Sequence, residues 1–480
     1  MSETLTQTDP RELCRLLNSR APEGGLFQGD RARLHPDSRL PWRISPEPFQ
    51  LQTDQLAFLE QLGPALLKFY QAANLLYGHS LKGVEPAWIH QYLDQGKPEH
   101  IIDLSRLNRV KSHLPLVMRP DLMLTEEGFR VAELDSVPGG IGFTGNISRL
   151  YADLGYDLVG GADGLVEGFY QALQAHARQD QPVVCIVVSD QSGAYHDEME
   201  WLAQQAQSRG EPVYCRHPRD VHFDEEGLFI HLEGEVVRLD MIYRFFELFD
   251  LRNIPKVEPI TYFTKKNAVR VSPPLKAFLE EKMWLALFHH PQLQDFWRRQ
   301  LGQGWEAMSQ IVPPSWIVDP APVPQHAVIP GLQAGGQAVN NWAQLGPLSK
   351  KEREYVLKPS GFSPLAEESR GVSVGHDLSE EEWAAKLEEA QAHFGTTPYI
   401  LQEFQKAARL PARYYDFARD EVQSMRGRVL LRPYYYVIGQ DVRLAGVQTI
   451  ICPADKKILH GMVDAILVPC TAAATTDQAF

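Results

Sequence analysis

The sequence predicts a mixed α/β fold, α+β in overall balance, on three observations. Residues 182–244 alternate an apolar β-branched run, an amphipathic helix and a second apolar run, the pattern of a parallel strand–helix–strand unit. Residues 119–135 read as a β-hairpin that runs into a glycine-rich turn. Several other stretches carry apolar residues at helical spacing. The chain has 480 residues, room for two or three domains or one multi-lobed enzyme, and at 44% hydrophobic it can bury a sizeable core.

A formal net charge of −14 argues against nucleic acid and against an anionic membrane surface as partners, while leaving room for a basic pocket that takes a small substrate. The five cysteines (Cys14, Cys185, Cys215, Cys452 and Cys470) are scattered and form no CxxC pair, which fits a reducing compartment and gives no zinc or disulfide signature. The polar N-terminus carries no apolar signal core, and no uncharged apolar run approaches the length of a membrane span. The expected location is cytoplasmic.

Residues 1–50, rich in Pro, Arg and Gly, read as an extended arm. Thr53 to Tyr77 has a broad apolar helical stripe that Pro64 should break or kink. A short helix follows over Pro86 to Gln95. Then comes the hairpin, Arg119 to Gly142. Glu133 and Asp135 are two apart, so on a strand they leave the same face; Asp121 lies on the other arm, near the level of Glu133. Three carboxylates on one patch call for a cation, and Mg²⁺ takes hard oxygen ligands of this kind. Arg119, two residues before Asp121, should point the same way and could hold an anionic substrate or a phosphoryl group in transfer. The plainer alternative is a solvated hairpin with acidic surface positions. Gly139-Gly140 either lets amides approach an anion or makes a tight turn with positive φ.

Residues 164–178 read as a helix, and Pro182 to Ser189 as a strand buried on both faces. No GxGxxG follows it, so no dinucleotide site is signalled. Ser189, Ser192 and His196 lack the acid or elbow pattern of a nucleophile and base. Tyr243-Arg244 sits at the carboxyl end of a strand, where Arg244 faces a ligand crevice or makes a surface salt bridge. Within 269–297 a helix opened by Pro273-Pro274 is expected, with Lys282 inside its apolar surround; that lysine snorkels to solvent or reaches a buried anion. His289-His290 reads as a helix end. Residues 318–350 form a long loop. Beyond it, a strand carries Lys358, a loop covers 361–371, a helix is capped by Ser379, and a strand ends in Gln402-Glu403. This suits a nucleotide clamp: Lys358 on phosphate, the loop over the phosphates, and the backbone of 400–404 at the adenine edge. The alternative is an exposed α+β layer. The C-terminal part reads as antiparallel strands turned at Gly439-Gln440, with Arg432 and Arg443 facing a ligand or charging a sheet edge. Residues 471–480 read as a disordered tail.

In their order along the chain, these features resemble the ATP-grasp superfamily, and within it the glutathionylspermidine synthetase-like, circularly permuted type. The resemblance rests on Arg119-Pro120-Asp121, Glu133-Leu134-Asp135, Glu281-Lys282, Val356-Leu357-Lys358-Pro359, Arg370-Gly371-Val372 with Gly375, and the strand from Pro398 to Glu403. It covers roughly residues 110 to 470. Lys282 and Lys358 follow the acids, which is the permuted order. The resemblance implies a division into an N-terminal arm and helices (1–110), a metal-binding hairpin (111–160), a Rossmann-like lobe (161–270) and nucleotide-clamp lobes (271–470).

By the same resemblance, Asp121, Glu133 and Asp135 would be ligands of two Mg²⁺ ions; the family often has Asn where Asp135 stands. Arg119 would stabilise the reacting phosphoryl and acyl groups. Lys282 and Lys358 would hold ATP phosphates, and Gln402, Glu403 and Phe404 would lie at the adenine. The loop 361–371 would be the phosphate flap, with Gly361 and Gly371 at its ends but Pro364, Glu367 and Glu368 in place of a glycine run. Glu367 or Glu368 would add a metal contact, and Arg244 and Arg432 are further candidates. No amidase domain accompanies these elements. The implied activity is an ATP-dependent carboxylate–amine ligase, working through an acylphosphate that an amine converts to an amide. A small-molecule kinase, a non-catalytic binding protein and a metal-dependent hydrolase are the alternatives. The acid, the amine and the oligomeric state are not legible.

Overall fold

The structure is a computed structural model that describes residues 9–28, 34–135, 137–324, 326–367, 369–461 and 463–473. It divides into two compact units. Within the described residues the first comprises 9–64, 113–274 and 407–473, and the second 65–112 and 275–406.

The first unit is built on two sheets. The larger runs in the order Phe49–Leu51, Ile466–Ala472, Asp441–Pro453, Glu421–Ile438, Val117–Thr125, Gly128–Asp135, with Arg409–Asp416 also paired to Glu421–Ile438. Only the Phe49–Leu51 pairing is parallel. The two longest strands meet at the expected turn, where Gly439 has φ +66°. Tyr434, Tyr435 and Tyr436 are all buried, although successive strand residues face opposite ways. The strand is therefore covered on both faces, and each hydroxyl finds a backbone carbonyl: Gly139, Leu59 and Leu165 in turn, at 2.9, 2.6 and 2.9 Å. The last strand continues to Ala472, beyond the start of the expected tail; residues 474–480 lie outside the described ones.

The smaller sheet is parallel, in the order Arg270–Ser272, Met241–Phe245, Val184–Val188, Val213–Arg216. The helix His196–Ser208 connects the last two, as the strand–helix–strand pattern predicts. A three-stranded antiparallel insert (His222–Phe223, Leu228–Leu232, Glu235–Arg238) precedes Met241–Phe245. The apolar run at 239–245 thus leaves the hairpin and joins the parallel sheet.

Two expectations for the amino-terminal third are corrected. Residues 10–20 are a helix rather than an extended arm: Asp9 caps it, accepting from the Arg11 amide at 3.0 Å, and Pro10 opens it. Pro64 does not break its helix, which runs from Thr53 to Leu81. Leu59, Leu62, Leu66 and Phe69 around it are all buried, and that packing outweighs one lost backbone bond.

The second unit holds an antiparallel sheet in the order Ser315–Ile317, Tyr399–Glu403, Tyr355–Pro359, Ser373–Val374. The helix Glu380–Ala392 starts as the sequence predicts: Ser379 Oγ accepts from the Glu382 amide, and the Glu382 carboxylate accepts from the Ser379 amide. Trp383, Leu387, Leu357, Leu401 and Trp342 form the core beneath it. The helix expected from Pro273-Pro274 to His289-His290 ends where expected but is broken into Ala277–Glu280 and Met283–His289. Among the described residues no helix is long and apolar enough to cross a membrane.

Two substitutions in this unit should separate capping from packing. Ser379→Ala is expected to cost about 1 kcal/mol, and Trp383→Ala about 3–5 kcal/mol, read as shifts of the urea midpoint at constant slope.

Candidate functional site

In the first unit the hairpin register places Arg119 opposite Asp135 and Asp121 opposite Glu133. A bulge after Asp121 ends that pattern. Arg119 donates from Nε to Asp121 Oδ1 at 2.9 Å and from Nη2 to Asp135 Oδ2 at 2.9 Å. The neighbouring long strand contributes Arg432, whose Nε and Nη2 reach Asp121 Oδ2 at 3.0 and 2.8 Å. Asp121 is thus clasped between two guanidiniums and is buried, whereas the Asp135 side chain keeps 30% of its exposure. Burial pushes the Asp121 carboxyl up, but Arg119 and then Arg432 more than offset it and hold the group below the usual range. Asp135 moves the other way. Burial raises it, Arg119 opposes, and the carboxylates of Glu133 and Asp121 push it further up.

This distribution bears on magnesium. Glu133 and Asp135 are hard oxygen donors on one face, and Mg²⁺ takes one or two carboxylates when phosphates and waters complete its shell. Those two residues fit the ion, Asp135 while also accepting from Arg119 Nη2 and the Val137 amide, each at 2.9 Å. Asp121 spends both oxygens on arginine, and among the described residues no three His, Cys, Asp or Glu side chains gather into a metal-holding group.

The glycine-rich turn proves to be a clamp. Gly140 has φ +88°, which a side chain would strain, and a Cβ there would meet the Tyr434 hydroxyl at 2.7 Å. Its amide donates to Glu198 Oε1 at 2.6 Å, and the Phe143 amide donates to Oε2 at 3.0 Å. Glu198 therefore caps the helix Ile141–Asp153, which sequence reading left unassigned. Gly140 thus meets both readings of the pair at once, with a positive φ and an amide given to an internal carboxylate. The Gly139 carbonyl faces the other way and accepts from both Arg119 Nη1 and the Tyr434 hydroxyl, each at 2.9 Å. Burial pushes the Glu198 carboxyl up to about 7, against the two amides and Arg119.

In the second unit Lys358 is buried and donates to Gln402 Oε1 at 2.8 Å; Gln402 Nε2 donates to Ser315 Oγ at 3.0 Å. Lys282 sits at a break between two helical pieces instead of within a helix. The cause lies beside it. Glu281 is buried in an ion pair with Lys97 and accepts from Ser360 Oγ, while the Lys282 amide donates to Ser360 O at 2.7 Å. Lys282 Nζ donates to Ala366 O, in the flap, at 2.9 Å. A Cβ on Gly361 would come within 3.0 Å of the Glu281 carboxyl, so this glycine permits close approach. The flap carries its own order: a turn over Pro364–Ala366 capped by Ser363, and Gly371 N donating to Leu365 O at 2.9 Å. Glu367 lies on this loop; Glu368 lies outside the described residues. The amides of Glu403 and Phe404 donate to Pro314 O and Glu354 O, both at 2.9 Å, which commits those two donors of the proposed adenine edge.

Arg244 is fully buried and donates to Phe246 O at 2.6 Å, so it does not stand at the surface. Arg443 is exposed. All five cysteines are free and buried. Sequence reading missed Glu198, Tyr434, Lys97 and the role of Glu281. No sequence signal set Glu198 apart from Asp197, the other acid in the first turn of the same helix.

No family model and no curated protein matches this chain. Among solved structures it is similar to a glutathione synthetase-like effector from Globodera pallida, at 13% identity and a TM-score of 0.56, over 98% of this chain and 99% of that one. It is also similar to a putative gamma-glutamylcysteine synthetase from Methylobacillus flagellatus, at 11% identity over 78% of this chain and 85% of that one; at its TM-score of 0.40 that likeness carries no argument. The first likeness shows the fold alone: this chain shares the mixed α/β, α+β architecture of that effector.

The Glu198 clamp predicts a pH signature. A carboxyl at about 7 in the folded chain and near its ordinary value when unfolded makes the folded state bind more protons between about pH 4.5 and 7, so stability falls as pH rises through that window. Glu198→Gln should remove roughly 3 kcal/mol of that pH dependence, measured as the difference between the two proteins' urea stabilities across the window.

Proposed function

We propose that this protein is an ATP- and magnesium-dependent carboxylate–amine ligase. The proposed reaction transfers the terminal phosphoryl group of ATP to a substrate carboxylate; an amine then displaces phosphate to leave an amide. The observation that carries the reading is the ionic cluster of the first unit. There Arg119 and Arg432 share one buried carboxylate, while Glu133 and Asp135 lie across from them. Fixed guanidiniums beside oxygen donors suit a reaction in which negative charge builds on phosphoryl and acyl oxygens.

Each side chain has a role in this reading. Glu133 and Asp135 would hold the magnesium, which when bound would supply charge neutralisation at phosphate oxygens. Asp121 keeps both guanidiniums in place. Arg119, tied to Gly139 O and Asp135 as well, is the more constrained of the two and is assigned the reacting phosphoryl oxygens. Arg432, which among the described residues bonds to Asp121 and keeps part of its exposure, is assigned the substrate carboxylate. In the second unit Lys282 and Lys358 bind nucleotide phosphates. Lys282 also donates to Ala366 O and Lys358 to Gln402 Oε1.

Calorimetric binding of a non-hydrolysable ATP analogue tests the reading. Binding should require Mg²⁺, and Glu133→Ala and Lys358→Met should each weaken it at least about tenfold, a loss of about 1.4 kcal/mol. Absence of binding by the wild type with or without Mg²⁺ would remove the ligase reading. ADP release that proceeds fully without any amine would replace it with a kinase.

A further inference from the structure

In the first unit the strands Arg409–Asp416 and Glu421–Ile438 set two arginines against each other: Arg409 is the register partner of Arg428. Register partners send their side chains to the same face, with backbones about 5 Å apart. Arg426, two residues from Arg428, shares that face. Like charges directly opposite in a sheet are destabilising, so the pairing calls for a reason.

The three guanidiniums gather over one short segment. Arg428 Nη1 donates to Ala407 O at 2.6 Å, and Arg426 Nη2 donates to Arg409 O at 2.8 Å. Those carbonyls are two residues apart, about 7 Å along a strand. Arg428 Nε is turned to Ala454 O at 3.0 Å, while among the described residues Arg428 Nη2 has no hydrogen-bond partner. Among the same residues none of the three makes an ion pair, although the chain has 61 acidic residues to 47 Lys and Arg. Neighbouring arginines are neutralised. Arg413, on the same face of the same strand, pairs with Glu47, and Arg432, four residues beyond Arg428, pairs with Asp121. Charges on an edge strand discourage unwanted pairing. That accounts for Arg409 and Arg426, which are exposed, and not for Arg428, which is 7% exposed and faces Arg409. Burial lowers the Arg428 guanidinium below its ordinary value, and the Arg409 charge lowers it further. A bound anion would answer both the repulsion and the open donor, because guanidinium N–H groups match the oxygens of a carboxylate or a phosphate.

We propose that Arg409, Arg426 and Arg428 form a subsite for a small oxyanion, a phosphate or a carboxylate group, with Arg428 Nη2 as its inner donor. The subsite does not depend on the ligase reading.

The probes are inorganic phosphate and succinate, added to the full chain at ionic strength matched with sodium chloride and followed by the thermal midpoint. An anion that binds the folded chain raises the midpoint with its concentration. At least one of the two should do so beyond chloride in the wild type. Arg409→Gln and Arg426→Gln, both at exposed positions, should each weaken that binding about fivefold. Arg298→Gln, at an exposed arginine of the second unit, should bind as the wild type does. Anions held at Arg119 and Arg432, or at Lys282 and Lys358, are indifferent to the first two variants, so a loss in those variants reads this subsite. Tighter phosphate assigns a phosphorylated ligand and tighter succinate a carboxylate one; either supports the subsite. No effect of either anion beyond chloride would overturn the proposal. So would binding unchanged in both Arg409→Gln and Arg426→Gln, or an equal loss in Arg298→Gln.

Discussion

The Asp121 carboxylate between Arg119 and Arg432 is the interaction on which the first unit's site depends. Its three charges come from two neighbouring strands and are mostly removed from water. Such a group gains little net stability, because desolvation consumes most of the Coulombic attraction; breaking it by deleting one partner costs about 3–5 kcal/mol. Its value is positional. Two long flexible side chains are held by one short acid, and Arg119 is fixed again by Gly139 O and Asp135. Glu198 then fixes Gly139's neighbour from a different helix. The constraint therefore runs from a helix in the parallel-sheet layer, through a left-handed glycine, to a guanidinium on the antiparallel sheet.

The second unit repeats the device with other residues. Glu281 and Lys97 form a buried ion pair, and the second carboxylate oxygen of Glu281 takes the Ser360 hydroxyl. Ser360 O and Oγ in turn accept the amides of Lys282 and Met283. One internal pair thus sets where the Lys282 backbone lies, just past the strand that carries Lys358. In both units an internal carboxylate that makes no obvious surface contact decides where an exposed or exchangeable cation points.

Much of this was legible from local pattern. Period-two alternation and Glu126-Glu127-Gly128 located the hairpin, and Arg-x-Asp with Glu-x-Asp placed four charges within one register, as observed. Ser379 followed by Glu382 located a helix start to the residue. What escaped was long-range partnership. Arg432 lies 311 residues from Asp121, and Glu198 lies 58 from Gly140. Nothing in their immediate neighbours announces either contact, because sheet order and helix docking decide them. The break at Lys282 escaped for the same reason. The apolar spacing there is helical, but Glu281 prefers a distant lysine and serine to another helical turn. Asp121 was read as a metal ligand because its spacing fits one; spacing cannot tell a carboxylate that waits for a cation from one already given to arginine.

The flap shows how a departure from pattern can be read physically. A glycine run confers mobility by adding backbone freedom. Here Gly361 and Gly371 serve close approach, to Glu281 and to Pro359, while the residues between them are tied by Ser363 and by the Gly371–Leu365 bond. The described part of this loop is a formed turn rather than a free run, and the Lys282 ammonium, donating to Ala366 O, joins the same turn to the residue beside Glu281.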